Sequence, residues 1–324
     1  MSQAPTTHWT GRRVVVTGGA GFLGRRVVAR LREDGADVVV PRSSEFDLTV
    51  PGRAEALLAD TEPSHVIHLA ARVGGIGYNL ANPAPLYLAN LLMGTHVIEA
   101  ARFTPSVDKT VLVGTVCSYP KITPIPFAET NLWDGYPEET NAPYGVAKKA
   151  HLVHAQVNEQ QYGQRFAYLI PTNLYGPGDK FHPAVSHVIP ALIKKCVDAV
   201  EARDDHVEVW GTGSASREYL YVDDAADAVV RAGEVDVGAD PINLGADREV
   251  TIRETVETIA DLVGFEGELR WDSSKPDGQP RRAVDGGRAT RLLDWKPTMP
   301  FDQGLRDTID WYRGNRAEAE RDPG

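Results

Sequence analysis

Only two cysteines, Cys117 and Cys196, occur in the 324 residues, far apart and outside any metal-like spacing. A disulfide framework is thereby excluded, and with no CxxC and scattered histidines no metal site is expected. No apolar run approaches the ~18 residues that a membrane-spanning helix needs. Met1 to Arg13 lacks the hydrophobic stretch of a secretory signal. Positive charge is short as well: 34 Lys and Arg face 45 Asp and Glu, for a net charge of -11. That balance argues against a nucleic-acid partner and an anionic membrane surface, while leaving room for a local basic pocket. Internal repeats and low-complexity stretches are missing too. These absences fit a reducing, cytoplasmic setting.

Hydrophobic residues make up 42% of the chain, enough to bury one large domain with a lobe, or two domains. Strands and helices alternate. Arg12 to Thr17 reads as a buried strand, followed at once by Gly18-Gly-Ala-Gly21-Phe22-Leu23-Gly24 and an amphipathic helix to about Asp34. Glycines at such a turn let the backbone approach a pyrophosphate, which the free N–H groups of the helix N-terminus then hold. Dinucleotide binding follows. The second strand, 36–40, ends in Pro41-Arg42-Ser43-Ser44, where an acid would otherwise hold the ribose hydroxyl of NAD. Arg42 and Ser43 suit a 2′-phosphate instead, so NADP(H) is expected over NAD(H). Asp47 either faces the adenine or caps the helix that begins near Pro51.

A third strand, 65–71, carries His68 beside the cofactor path and ends in Leu69, Ala70 and Ala71. A long helix, 83–102, contains Asn90. A fourth strand, 111–115, ends in Thr115-Val-Cys117-Ser-Tyr-Pro, and a fifth ends in Pro171-Thr-Asn173-Leu174. The alternation predicts an α/β fold, a doubly wound parallel Rossmann sheet with a smaller α/β substrate-binding lobe, and ligands at the carboxyl ends of the strands.

Between the fourth and fifth strands stands Asn141-Ala-Pro-Tyr144-Gly-Val-Ala-Lys148. Pro143 suits a first helical turn, and the helix is expected over 144–162, with Val146, Ala147, Ala150, Val153 and Val157 on an apolar stripe. Four residues apart, Tyr144 and Lys148 share one face. A phenol has a reference pKa of about 10. An ammonium beside it is expected to lower that value toward the range of an acid-base group.

The glycine turn, Thr115 and Tyr144-x-x-x-Lys148 together resemble the extended short-chain dehydrogenase/reductase family. The resemblance implies that Tyr144 is the acid-base group, that Lys148 tunes it and holds the nicotinamide ribose, and that Thr115 binds the substrate oxygen. Further segments narrow it. Val73-Gly-Gly-Ile76, Cys117-Ser-Tyr-Pro-Lys121, Pro171-Thr-Asn-Leu-Tyr-Gly-Pro177, Phe181-His-Pro183, Ser186-His187-Val-Ile-Pro190 and Lys275-Pro-Asp-Gly278 look like the GDP-L-fucose synthase branch. That branch epimerises GDP-4-keto-6-deoxy-mannose at C3 and C5 and reduces C4 with NADPH. It uses a Cys and a His as the epimerisation pair, matching Cys117 and His187. Two positions depart: Ala20 stands where the branch has a basic residue, and Thr115-Val116 where it often has two serines.

The expected cofactor set is Gly18, Gly21, Phe22, Leu23, Gly24, Arg42, Ser43, Asp47, Leu69, Ala70, Ala71, Asn90, Lys148, Pro171, Asn173, Leu174 and His187. Substrate contacts are expected from Thr115, Cys117, Asn173, Lys195, Trp210, Arg217, Lys275 and Asp277. Residues 12–178, with about 217–246 returning, form the expected Rossmann domain. Residues 179–216 and 247–313 form the lobe, and 1–11 and 314–324 are flexible tails. A homodimer through helices 83–102 and 144–162 is a family expectation. The alternatives are a nucleotide 4-keto-6-deoxyhexose 4-reductase with one or no epimerisation on a GDP- or dTDP-sugar, a GDP-mannose 3,5-epimerase, and a non-catalytic dinucleotide-binding regulator.

Overall fold

Three consecutive valines in the first strand, β1 (Arg13–Thr17), are fully buried, the pattern of a strand covered on both faces. The computed structural model describes residues 8–321 except Gly75, Pro276, Asp277 and the side chain of Ile76. After β1 come α1 (Phe22–Glu33), β2 (Asp37–Val39), α2 (Arg53–Thr61), β3 (His65–His68), α3 (Ile76–Ala81), α4 (Pro83–Arg102), β4 (Lys109–Val113), α5 (Ala142–Tyr162) and β5 (Phe166–Pro171). The rest supplies β6 (Asn173–Tyr175), α6 (Val188–Ala202), β7 (His206–Trp210), β8 (Ser216–Tyr221), α7 (Val222–Glu234), β9 (Gly238–Leu244), β10 (Glu249–Thr251), α8 (Ile252–Val263), β11 (Glu268–Asp272), β12 (Arg281–Arg282), α9 (Gly287–Leu293), α10 (Phe301–Gly314) and α11 (Arg316–Ala319).

Six parallel strands form one sheet in the order β2-β1-β3-β4-β5-β9. The chain turns outward in opposite directions from β1 and β3, so a ligand crevice opens beyond their carboxyl ends. One face of the sheet packs on α1 and α7 through Val14, Val27, Leu31, Ile67 and Val229. The other packs on α2 and α4 through Val15, Leu57 and Val97, and on α5 through Leu112, Leu152 and Tyr168. A separate core gathers Ile189, Ile193, Val197, Val256, Ile259, Leu305 and Ile309 from α6, α8 and α10. It is flanked by the sheet β10-β8-β12, to which β6 adds, and by the pair β11-β7.

Several expectations are corrected. Of the leading segment, residues 1–7 lie outside the described residues, and Trp9 is fully buried and stacks edge-on against His65 with ring centroids 5.0 Å apart. Past Arg313 the chain is held as well. Arg316 pairs with Asp198 and Glu201 at 2.6 Å each, and the Phe181 N–H donates to the Ala319 carbonyl at 2.9 Å. On α5 the expected apolar stripe is buried only at Ala147: Val153 and Val157 are exposed, while Lys148, His151, Leu152, Ala155 and Asn158 face inward. The buried face is mixed: Leu152 and Ala155 join the core, while Lys148, His151 and Asn158 are buried beside them.

Candidate active site

The glycine turn is shaped by close approach. Gly18 has φ +71°, and a Cβ there would stand 2.6 Å from the Ala70 amide nitrogen at the end of β3. At Gly24 a Cβ would overlap the Gly18 carbonyl. Gly21 is the N-cap of α1 and offers no side-chain acceptor to the first-turn amides beyond it, those of Phe22, Leu23 and Gly24 included. Such amides suit an anion. The Thr17 hydroxyl lies 2.8 Å from His68 Nδ1 behind the turn. His68 is fully buried, and burial, aided by the Lys148 charge, pushes its pKa well below the imidazole range. It is a neutral packing group, as expected. Asn90 braces the chain after β3, accepting from the Arg72 N–H at 3.0 Å and donating to the Arg72 carbonyl at 2.9 Å.

Beside the turn, a cleft of about 460 Å³ is lined by Gly19, Ala20, Arg25, Val28, Ala29, Arg32, Val40 and Arg42. Arg25, Arg32 and the small Ala29 share one face of α1 by their helical spacing. Arg25 is engaged by Glu318 and the Gly178 carbonyl. Among the described residues, neither Arg32 nor Arg42 has a side-chain hydrogen bond or ion pair. Both line this cleft, and two cations so placed suit an anion. Ser43 is exposed beside Arg42. Asp47 does not cap α2, whose N-cap is Gly52: its carboxylate accepts from the Thr49 N–H and hydroxyl, closing a local turn.

Four of the residues expected to be catalytic, Thr115, Cys117, Tyr144 and Lys148, lie where the turn after β4 meets α5. Thr115 caps a 3-10 turn, 116–118, accepting from the Cys117 N–H at 3.2 Å. The Ser118 hydroxyl donates to the Gly145 carbonyl at 3.0 Å. Gly145 packs so tightly on the Cys117 carbonyl that a Cβ would overlap it. These contacts seat the Cys117 turn on the first turn of α5. Tyr144 and Lys148 follow from the helical repeat, with Lys148 Nζ 5.9 Å from the Tyr144 ring centroid. The Tyr168 hydroxyl donates to the Lys148 carbonyl at 2.7 Å, holding that turn to the sheet. The expected lowering of the Tyr144 pKa is not found in the protein alone. Burial raises it, with a further push from Cys117, and the same burial lowers Lys148 to about 8. Desolvation disfavours both charged forms, so Tyr144 is held as a neutral phenol.

Of the other expected residues, Pro171 ends β5, with Asn173 and Leu174 in β6. Asn173 donates to the Glu218 carbonyl at 3.1 Å. His187 is the exposed N-cap of α6. No hydrogen bond among the described residues joins it to Cys117 or Tyr144, but its charge acts on buried Asp179, whose pKa burial pushes up to about 6. Trp210, exposed at the end of β7, gathers two cations: Lys195 Nζ lies 5.6 Å and Lys275 Nζ 5.4 Å from its ring centroid. Arg217 reaches toward Gly278, and Asp277 lies outside the described residues.

Sequence reasoning missed three residues. Arg32 is one of several arginines on α1, and only the fold sets it opposite Arg42. Arg282 donates from Nη1 to Cys117 Sγ at 3.8 Å across 165 positions. Glu218 is buried on β8 and accepts from the Val284 N–H at 2.9 Å, and burial pushes its pKa up to about 7. β8 is buried at every residue but Arg217, so no alternation along 216–221 singles Glu218 out.

The NAD dependent epimerase/dehydratase family matches residues 14–245. Probable GDP-L-fucose synthase 1 of Oryza sativa is 42% identical over 96% of this chain and 95% of its own. GDP-L-fucose synthase 1 of Arabidopsis thaliana is 40% identical over 94% of each. Among solved structures, a GDP-L-fucose synthetase from Naegleria fowleri bound to NADP superposes with a TM-score of 0.89 at 28% identity, covering 99% of this chain and 98% of that one.

Proposed function

The chain belongs to the NAD dependent epimerase/dehydratase family, and within it we propose a bifunctional enzyme that epimerises GDP-4-keto-6-deoxy-mannose at C3 and C5 and then reduces C4, giving GDP-L-fucose. One observation carries the reading: Cys117 is docked against the Tyr144 turn of α5 by Ser118 and Gly145, in a chain that matches GDP-L-fucose synthases over nearly its whole length.

NADPH supplies the hydride to C4 when bound. The glycine turn would hold its pyrophosphate, and Arg32 and Arg42 its 2′-phosphate. Thr115 and Tyr144 orient the ketone oxygen, and Tyr144 gives its proton to that oxygen in the reduction. The Lys148 ammonium holds the ribose and favours negative charge at Tyr144 once the proton has left. Before reduction, the same polarised ketone acidifies the protons on C3 and C5, which Cys117 and His187 remove and return on opposite faces of the ring. Trp210, Lys195, Lys275 and Arg217 suit a stacked base and a diphosphate. Residues 179–216 and 247–313 serve as the lobe that carries Trp210, Lys195 and Lys275, with Arg217 at its border. Exposed Tyr87, Leu88, Val153 and Val157 on α4 and α5 favour a homodimer through these helices. A cytoplasmic location suits a Cys117 that must stay reduced.

Incubation with GDP-4-keto-6-deoxy-mannose and NADPH in D₂O tests the reading. The expected product is GDP-L-fucose, deuterated at C3 and C5, with one NADPH oxidised per sugar. Ring exchange without net NADPH oxidation overturns it in favour of an epimerase, and a reduced but unepimerised sugar in favour of a 4-reductase.

A further inference from the structure

The segment 281–285 is pinned on two sides. The Phe127 N–H donates to the Ala283 carbonyl at 2.8 Å and the Asp285 N–H to the Phe127 carbonyl at 3.0 Å, while β12 pairs with β8 and the Val284 N–H bonds Glu218. Successive side chains of a strand point to opposite faces. Arg281 accordingly turns outward to a bidentate pair with Glu249, at 2.6 and 3.0 Å. Arg282 turns inward. Its Nε donates to Gln279 Oε1 at 3.2 Å, and Gln279 Nε2 donates to the Lys121 carbonyl at 3.0 Å, so the guanidinium is braced from the segment that bears Cys117. Its Nη1 then ends 3.8 Å from Cys117 Sγ, and no carboxylate pairs with it among the described residues.

We propose that Arg282 is a positioning residue for Cys117, holding negative charge on the sulfur so that the thiolate can act as a base. The step balances. The thiolate takes a proton from the ring carbon beside the ketone, and the electrons of that C–H bond move onto the C4 oxygen as an enolate. A proton delivered to the opposite face then restores the ketone with inverted configuration. A guanidinium beside the sulfur favours the charged thiol in the way a neighbouring Arg does at reactive cysteines. It also links the small β8 sheet to the catalytic turn. The inference rests on the epimerisation role given to Cys117 above.

The test is the rate of Cys117 alkylation by iodoacetamide in the whole protein without substrate, followed by peptide mass spectrometry from about pH 6 to about pH 9. Arg282→Gln is expected to slow Cys117 about tenfold near neutral pH and to converge with the wild type at alkaline pH, while Arg282→Lys stays within about threefold of it. Buried Cys196 reports folding in the same digest. Should it become reactive in Arg282→Gln, Gln279→Ala, which removes the brace, takes that variant's place, with about threefold slowing expected. A wild-type rate and pH profile in the neutral variant overturns the proposal. Ring-proton exchange that is absent from a wild type showing the expected alkylation strikes the epimerisation reading alone.

Discussion

The two acid-base pairs proposed for the site are built in opposite ways. Tyr144 and Lys148 stand one turn apart on α5, so their separation is a property of one helix, and both are deeply buried. Cys117 stands on a turn after β4, whereas His187 caps a helix of the separate core. Their relation depends on how that core docks. Docking rests on β6 pairing with β8, on the Arg25–Glu318 pair at 2.7 Å, and on Asp224, whose carboxylate accepts from the Thr298 and Met299 N–H groups at 3.0 Å each. The reduction pair is thus a local device and the epimerisation pair a tertiary one. Perturbing the lobe should hurt ring-proton exchange before it hurts hydride transfer.

The sharpest break is Tyr144→Phe. Removing the proton donor should lower turnover by about 10³-fold in an NADPH-oxidation assay. A loss below tenfold would assign the proton to another group.

Cys117→Ser separates the pairs. Deuterium incorporation at C3 and C5 should fall by about 10²-fold, while reduction of an already epimerised ketone stays within a fewfold of the wild type. If both fall together, the two pairs are not independent and the comparison fails.

Arg32→Ala probes the cofactor side alone. Loss of one charge-assisted contact should weaken NADPH about tenfold and leave NADH unchanged, read as dissociation constants by fluorescence titration. Equal weakening of both cofactors would place Arg32 away from the 2′-phosphate.

The smallest effect is expected at Glu218, which ties β8 to the segment of Arg282. Its folded pKa, about 7, stands above the ordinary 4.5. The folded state therefore keeps the proton longer, and stability is lost as pH rises between those values. Glu218→Gln should shrink the fall in Tm between about pH 5 and about pH 8, by the equivalent of ~1–2 kcal/mol. An unchanged slope would mean that the carboxylate is solvated.

Much of the fold was legible because the signals are local. The Gly18–Gly24 turn after a run of valines demands close backbone approach, and the strand–helix alternation implies a parallel sheet. What failed did so where packing outvoted pattern. Val153 and Val157 match a helical stripe yet face outward, because α5 turns its polar side, Lys148 and His151, toward the site. Asp47 looks like a cap but bonds Thr49. Residues 8–11 and 314–321 belong to polar chain ends, yet Trp9 is buried and Arg316 pairs with Asp198 and Glu201.

The amino-acid sequence by itself determined the pieces that depend on neighbours along the chain: the glycine turn, the Tyr144–Lys148 spacing and the strand–helix alternation of a doubly wound sheet. A helix repeats every 3.6 residues whatever surrounds it. Only the tertiary structure decided which distant charges meet: Arg32 with Arg42, Lys195 and Lys275 at Trp210, and Arg282 at Cys117. Such contacts join segments from separate elements, and no periodicity along the chain encodes the angle at which two packed elements dock.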